Sequence, residues 1–465
     1  MKKLKNWIQS IGIIAGLLII VALLLALPHV FKIHKDFELI KLKEHDTLLL
    51  SMFSIENYDE NDFAHYRGMT ALKAGYNVPN GKLMRWYFDK VREYNTSLER
   101  VYLGVDPEHT SKEDIVILIQ QNPDVYFEVF LPYPQIDYWA GMEEKKFEKI
   151  MQQYKVFTEW IIPLENACIY VFGNEDWLVG NSLNYTDTFT TNEEISEFLM
   201  CNMDAGHSYQ ASFESMEQEM LQYYELYAEY QNRNKIDLSG TEIIFFGDSI
   251  IGNYTDTLSI PKVVEGECGA KTYNLGQGGG TATWVEDNMT NFCVVVDAFL
   301  AGEANMLPEE SQCYKGLKSY LEEGAKDAPK IFVINFGLND YFNALPLKAE
   351  EANDISTYEG ALRTTVSKLQ KAYPDAEIIL MTPHFTYEFH FGKDILGEKA
   401  GSLEDYANIV IEIARELNVG VLDNFREVGI NEANWKQYQP DGTHPNEKGR
   451  FAIGRELAKY IMNNR

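Results

Sequence analysis

A serine becomes a useful nucleophile only with a base beside it and a third group holding that base in the right tautomer. Short segments of this sequence carry all three. Gly247-Asp248-Ser249 offers a hydroxyl directly after the apolar run Ile243-Ile-Phe-Phe246. Asp441-Gly-Thr-His444 offers His444 as the base, with Asp441 three residues earlier to accept an imidazole N–H. Attack on an acyl carbonyl creates an oxyanion, which needs fixed donors worth about 3–4 kcal/mol each. The backbone N–H of Ser249, that of Gly279 in Asn274-Leu-Gly-Gln-Gly-Gly279, and the amide of Asn339 in Gly337-Leu-Asn339-Asp340 are the candidates. The run Gly278-Gly279-Gly280 leaves the glycine donor open by one residue. Asn339 offers a neutral NH₂ where an aspartate would repel the developing charge. Asp248, Asp340 and His384 flank these segments and are expected to line the pocket. No metal is expected, because His384 and His390 lack a third ligand nearby and the five cysteines show no CxxC spacing. No cofactor is expected either. An odd number of cysteines forbids complete pairing; a Cys268–Cys293 bridge is open to them, and small buried hydrophobes are the commoner use.

Such residues must be delivered by rigid elements, and the sequence offers two sets of short apolar runs separated by helix-like stretches. Thr47–Leu50, Val101–Gly104, Val125–Phe130 and Ala167–Phe172 form the first set, and Ile243–Phe246, Ile331–Asn335, Glu377–Met381 and Val419–Leu422 the second. Strands alternating with helices predict α/β domains with parallel sheets covered on both faces. Ser249, Gly279 and Asn339 each follow an apolar run, and ligand sites of open parallel sheets lie at the carboxyl ends of strands. The acidic, aromatic stretch Ser212–Gln231 has no Gly or Pro and reads as a connecting helix. The aromatics Tyr126, Phe127, Phe130, Tyr133, Tyr138 and Trp139 are expected in the core rather than on a sugar-stacking face.

A net charge of −29 over 465 residues argues against broad contact with nucleic acid and favours neutral or cationic ligands. Between Asn6 and Phe31 there is no charged residue, and the apolar run from Ile11 to Leu27 is long enough to cross a bilayer, which takes about 20 residues. Lys2, Lys3 and Lys5 precede it, so the expectation is an uncleaved single-pass anchor with its N-terminus in the cytoplasm and the bulk of the chain outside. The expected organisation is therefore tail and anchor over 1–31, a stalk over 32–46, one domain over 47–210, a connecting helix and linker over 211–240, and a second domain over 241–465.

The two halves echo each other. Leu50-Ser-Met-Phe53-Ser-Ile-Glu-Asn57-Tyr58 aligns with Phe246-Gly-Asp-Ser249-Ile-Ile-Gly-Asn253-Tyr254, and Asp187-Thr-Phe-Thr190-Thr-Asn192-Glu193 with Asp441-Gly-Thr-His444-Pro-Asn446-Glu447. Gly104-Val-Asp106 likewise resembles Gly337-Leu-Asn339. Phe53 and Thr190 thus stand where the second half has its serine and histidine, which reads as a duplication whose first copy kept the fold and lost the nucleophile.

With its four segments in this order, the stretch from Thr241 to Arg465 resembles the SGNH/GDSL hydrolase superfamily, whose blocks are named for Ser, Gly, Asn and His. There is no G-x-S-x-G elbow, so the α/β-hydrolase fold is not indicated. The resemblance implies a three-layer, flavodoxin-like α/β/α domain of SGNH type, an acyl-enzyme mechanism without metal, and esterase or acyl-transfer activity. The first half resembles, more loosely, the SGNH-like domains of membrane-anchored proteins that handle acyl groups on bacterial surface polymers. The expectation is a membrane-anchored extracytoplasmic serine esterase acting on an acylated carbohydrate, with O-acetyl the expected group, or on another small acyl ester. The alternatives are an O-acyltransferase using the same residues and a non-catalytic surface-polymer assembly protein.

Overall fold

The computed structural model describes residues 45–59, 71–73, 77–205, 209–233, 236–286, 288–325, 327–387 and 400–464. The expected anchor over 11–27 and the stalk's first residues lie outside them. Among the described residues no helix is long and apolar enough to cross a membrane.

The chain divides into two compact units between Gln231 and Asn232, with the short segment Gly180–Asn184 grouped with the second. In the first unit, β1 (Thr47–Ser51), β2 (Ala71–Lys73), β3 (Arg100–Gly104), β4 (Tyr126–Phe130) and β5 (Ala167–Tyr170) form one sheet in the order β2-β1-β3-β4-β5. Every pairing in it is parallel. Phe127, Phe130, Tyr133 and Trp139 are buried, as the core reading expects, while Tyr126 and Tyr138 are only half-buried. The helix Met216–Asn232, expected as a connector, is instead part of this unit: Tyr227 stacks on Phe147 with centroids 4.1 Å apart, and Tyr223 is buried against Gly173. Its Tyr and Met positions recur on one face, and burying that stripe holds the helix against its own unit.

The second unit repeats the plan. Strands β6 (Glu242–Gly247), β7 (Lys271–Asn274), β8 (Lys330–Asn335), β9 (Glu377–Met381) and β10 (Gly420–Leu422) lie in the order β7-β6-β8-β9-β10, again all parallel. Every residue of β6 and β8 is buried, as central strands covered on both faces require. Helices Ile260–Cys268 and Glu447–Asn463 pack together, while Tyr358–Ala372 packs with both Leu403–Leu417 and Phe292–Ala301. Listed from the second strand of each set, the two sheets have one and the same spatial order.

No disulfide links the described cysteines. Cys268 donates to the Val264 carbonyl at 3.0 Å, and Cys293 Sγ lies 3.2 Å from Thr365 Oγ1, so both serve as small core residues inside helices.

Candidate active site

Strand β6 ends at Gly247, and the chain turns at once into the helical turn Ser249–Gly252, capped by Asp248. The Ile250 N–H donates to Asp248 Oδ1 at 3.0 Å, which fixes the backbone on either side of Ser249. The second segment is strapped to this turn by Asn274, whose amide donates to the Ile251 carbonyl at 2.7 Å while its oxygen accepts from the Gly276 N–H at 3.0 Å. Gln277 N–H then donates to the Gly247 carbonyl at 2.9 Å.

The glycine run resolves residue by residue. A side chain on Gly278 would stand 2.5 Å from Asn253 Oδ1, and one on Gly280 would meet the Gln277 carbonyl at 3.0 Å, whereas Gly279, at φ +78°, faces open space. Gly279 is therefore the member of the run whose left-handed backbone lies exposed, with no side chain packed over it.

At the end of β8, Gly337 adopts φ +129° and passes so close to Tyr358 that a Cβ would lie 2.6 Å from its hydroxyl. That turn opens the short helix Leu338–Phe342. Asn339 donates its amide to the Gly280 carbonyl at 3.0 Å, leaving one of its two N–H bonds for another acceptor. Asp340 accepts from the Ala282 N–H at 3.0 Å and from the Thr283 N–H at 2.9 Å.

The fourth segment brings the base. His444 Nε2 lies 3.1 Å from Ser249 Oγ, and His444 Nδ1 lies 2.7 Å from Asp441 Oδ2. Asp441 Oδ1 also accepts the N–H of Thr443 at 2.9 Å and that of His444 at 2.6 Å. Burial raises the Asp441 carboxyl, but the His444 ring and these two N–H donors outweigh it and hold the group below the usual carboxylate range. Asp441 is thus held as the anion that a positively charged imidazole needs. A hydroxyl, a base and an orienting carboxylate in line, with donors on neighbouring loops, can carry out acyl transfer through a covalent intermediate.

Asp248, Asp340 and His384 do not line the pocket, as the sequence suggested; all three are buried. The carboxylates of Asp248 and Asp340 turn inward to backbone N–H groups of the motif loops, and a carboxylate so engaged cannot also face a ligand. Burial pushes Asp248 up to about 7, opposed by the Ile250 N–H and reinforced by the negative charge of Asp340. Asp340 is also raised, chiefly by burial, against the pull of its Thr283 and Ala282 donors. His384 Nε2 lies 2.9 Å from the Thr443 carbonyl, so the ring donates from that nitrogen. Burial takes His384 down to about 4, so it stays neutral. His390 lies outside the described residues.

Sequence reasoning missed the support behind His444. The segment after β9 holds the Asp441–His444 turn along its length: Thr386 Oγ1 lies 2.6 Å from the Gly442 carbonyl, the Tyr387 N–H donates to the same oxygen at 2.7 Å, and Gln439 donates to the Phe385 carbonyl at 2.6 Å. The one available signal was the polar cluster Thr-Pro-His-Phe-Thr-Tyr following a buried strand.

The first unit keeps the turn without the chemistry. Asp187 Oδ1 accepts from Phe189 N–H at 2.8 Å and Thr190 N–H at 2.9 Å, the same two offsets that Asp441 serves. Asn192 caps the following helix through Ile195 N–H, as Asn446 does through Gly449 N–H. Phe53, in the serine's place, packs edge-on against Phe130 and Tyr133.

The GDSL-like lipase/acylhydrolase family matches residues 245–450, which span all four segments. The second unit is a GDSL-like domain. The matched family makes it an ester hydrolase of the serine type. Among solved structures, the chain is similar to a protein from Lactobacillus plantarum, at 21% identity over 49% of this chain and 99% of that one, with a TM-score of 0.38. A putative arylesterase from Agrobacterium tumefaciens aligns at 16% identity over 48% of this chain and 99% of its own, TM-score 0.32. A carbohydrate acetylesterase from Sinorhizobium meliloti aligns at 12% identity over 48% of this chain and 100% of its own, TM-score 0.33. No curated protein matches the chain.

Proposed function

We propose that the chain is an extracytoplasmic serine esterase, held to the membrane by its apolar N-terminal stretch, that removes O-acetyl or similar short acyl groups from a carbohydrate. The unbroken path from Ser249 Oγ to His444 Nε2 at 3.1 Å and from His444 Nδ1 to Asp441 at 2.7 Å carries this reading. As Ser249 Oγ bonds to the ester carbonyl carbon, its proton passes to His444 Nε2 and Asp441 stabilises the imidazolium. The carbonyl oxygen takes up the negative charge against the N–H groups of Ser249 and Gly279 and the remaining N–H of Asn339. Collapse breaks the bond to the alcohol, which leaves with the proton from His444. A water then repeats the sequence on the acyl-serine and releases the acid.

Three observations support the finer claims. The apolar run from Ile11 to Leu27 follows three lysines, the pattern of an anchor with an inside N-terminus. A net charge of −29 suits a neutral substrate better than an anionic one. Trp284, just past the glycine loop, is exposed, and an indole face packs well on a sugar ring. The first unit, with Phe53 and Thr190 at the reactive positions, serves as a non-catalytic copy.

The test is Ser249→Ala in the full-length protein, assayed on p-nitrophenyl acetate and on acetylated glycans. Loss of turnover with an unchanged melting temperature is expected; retained turnover refutes the assignment. Appearance of the acyl group on an added glycan hydroxyl, rather than as free acid, would replace hydrolysis by transfer.

A further inference from the structure

Asn339 and Asp340 are adjacent on the short helix Leu338–Phe342, and together they grip one stretch of backbone from both of its polarities. Asn339 donates to the carbonyl of Gly280, and the two oxygens of Asp340 take the N–H groups of Ala282 and Thr283. That stretch begins one residue after Gly279, the exposed left-handed glycine. A peptide held at 280, 282 and 283 cannot rotate without breaking a bond to a fully buried carboxylate, and each such loss costs about 1–3 kcal/mol. The orientation of the Gly279 region is therefore set from residue 340.

The first unit supplies an internal comparison. Asp106 stands where the second unit has Asn339, and Pro107 follows it, so the carboxylate is gone from the copy that also lacks the serine and the histidine. Yet the first unit's five strands keep the same order and all pair in parallel. The sheet does not need this carboxylate, and its place beside the oxyanion donors is what remains to explain it.

We infer that Asp340 is a positioning residue for the esterase reaction, holding the glycine loop so that Gly279 and Asn339 converge on the developing oxyanion. This rests on the esterase reading above. Asp340→Asn keeps one acceptor but turns an NH₂ group on a backbone N–H, so the loop must shift. A displacement on the order of 1 Å costs about 100-fold in rate, so kcat should fall roughly 10- to 100-fold with KM nearly unchanged. Placing the substitution in an Asn339→Ala background separates positioning from general weakening. If Asp340 acts through the oxyanion site it shares with Asn339, the double variant should lose clearly less than the product of the two single losses, whereas independent effects multiply.

The experiment measures p-nitrophenyl acetate kinetics for the wild type, both single variants and the double variant, with thermal melts and with fluorophosphonate labelling of Ser249. A wild type that is not labelled at Ser249 sinks the esterase reading and the role of Asp340 together. Wild-type labelling with an unimpaired Asp340→Asn, or with multiplicative losses in the double variant, overturns the role of Asp340 alone. Should Asp340→Asn fail to melt cooperatively, Asp340→Ser keeps a smaller acceptor and is read by the same cycle. If both fail to fold, the carboxylate serves the fold and the inference is wrong.

Discussion

Replacing Asp441 by Asn tests the base's tautomer more sharply than deleting any residue. Two backbone N–H groups, from Thr443 and His444, converge on Asp441 Oδ1 at 2.9 and 2.6 Å. An asparagine must keep its oxygen there, because turning the NH₂ inward would set donors against donors and forfeit both bonds, at about 1–3 kcal/mol for each unsatisfied group. The NH₂ group is thereby forced toward His444 Nδ1, now 2.7 Å from the carboxylate. Nδ1 must become an acceptor, which moves the ring proton to Nε2, the nitrogen facing Ser249 Oγ at 3.1 Å. A base already carrying a proton on its working face cannot take another. The same exchange in a serine protease lowers kcat by about 10⁴, which corresponds to about 5 kcal/mol of barrier. The turn keeps its two backbone bonds, so the melting temperature should move by only a few degrees. Asp441→Ala provides the contrast: it loses those bonds and melts lower, but imposes no tautomer, so its residual turnover should equal or exceed that of Asp441→Asn. Steady-state kinetics on p-nitrophenyl acetate with parallel melts measure both. If Asp441→Asn loses less than tenfold while Ser249→Ala is inactive, the orienting role of Asp441 is wrong.

Asn339→Ala removes one neutral donor and should lower kcat by about 10²- to 10³-fold with little change in KM; a loss confined to KM would move Asn339 from oxyanion support to ground-state binding. Gly279→Ala forces a Cβ into φ +78° with no atom in its way, so the cost is backbone strain of about 1–2 kcal/mol; a drop in melting temperature with a loss in kcat is expected, and an unchanged melting temperature would contradict the strained left-handed backbone at 279. His384 is held down to about 4 in the folded protein, chiefly by burial. Between its ordinary value near 6.5 and that value, the unfolded chain binds a proton the folded one does not, so His384 weakens stability as pH falls through this window, by roughly 3 kcal/mol in all. Urea unfolding at pH 7.5 and 4.5 should show a steeper acid loss for the wild type than for His384→Gln, and parallel losses would contradict the burial argument.

The central strands were legible because parallel strands covered on both faces read as unbroken apolar runs, as in Ile243–Phe246 and Ile331–Asn335. The edge strands β2 and β7 were not: β2 is three residues long, and β7 begins at the exposed Lys271, so neither carries a continuous apolar signal. Motif order was enough to nominate Ser249, His444, Asp441, Gly279 and Asn339, since each residue type answers a distinct chemical need. Sequence gave no direction to the carboxylates beside them. Asp248 and Asp340 sit next to reactive residues in the chain, but a tight helical turn sends neighbouring side chains to different sides, and theirs point into the protein. The backing of His444 by Thr386 and Gln439 joins segments more than fifty residues apart and depends on register, which no local pattern encodes.

The distance along the chain between Ser249 and His444, 195 residues, sets the order in which reactivity can appear during synthesis. At about 5–20 residues per second, the hydroxyl waits on the order of ten to forty seconds before its base emerges from the ribosome. The growing polypeptide therefore passes its most exposed period with a chemically inert serine, and the capacity to cleave esters switches on only when the last turn and helix settle against the finished sheet.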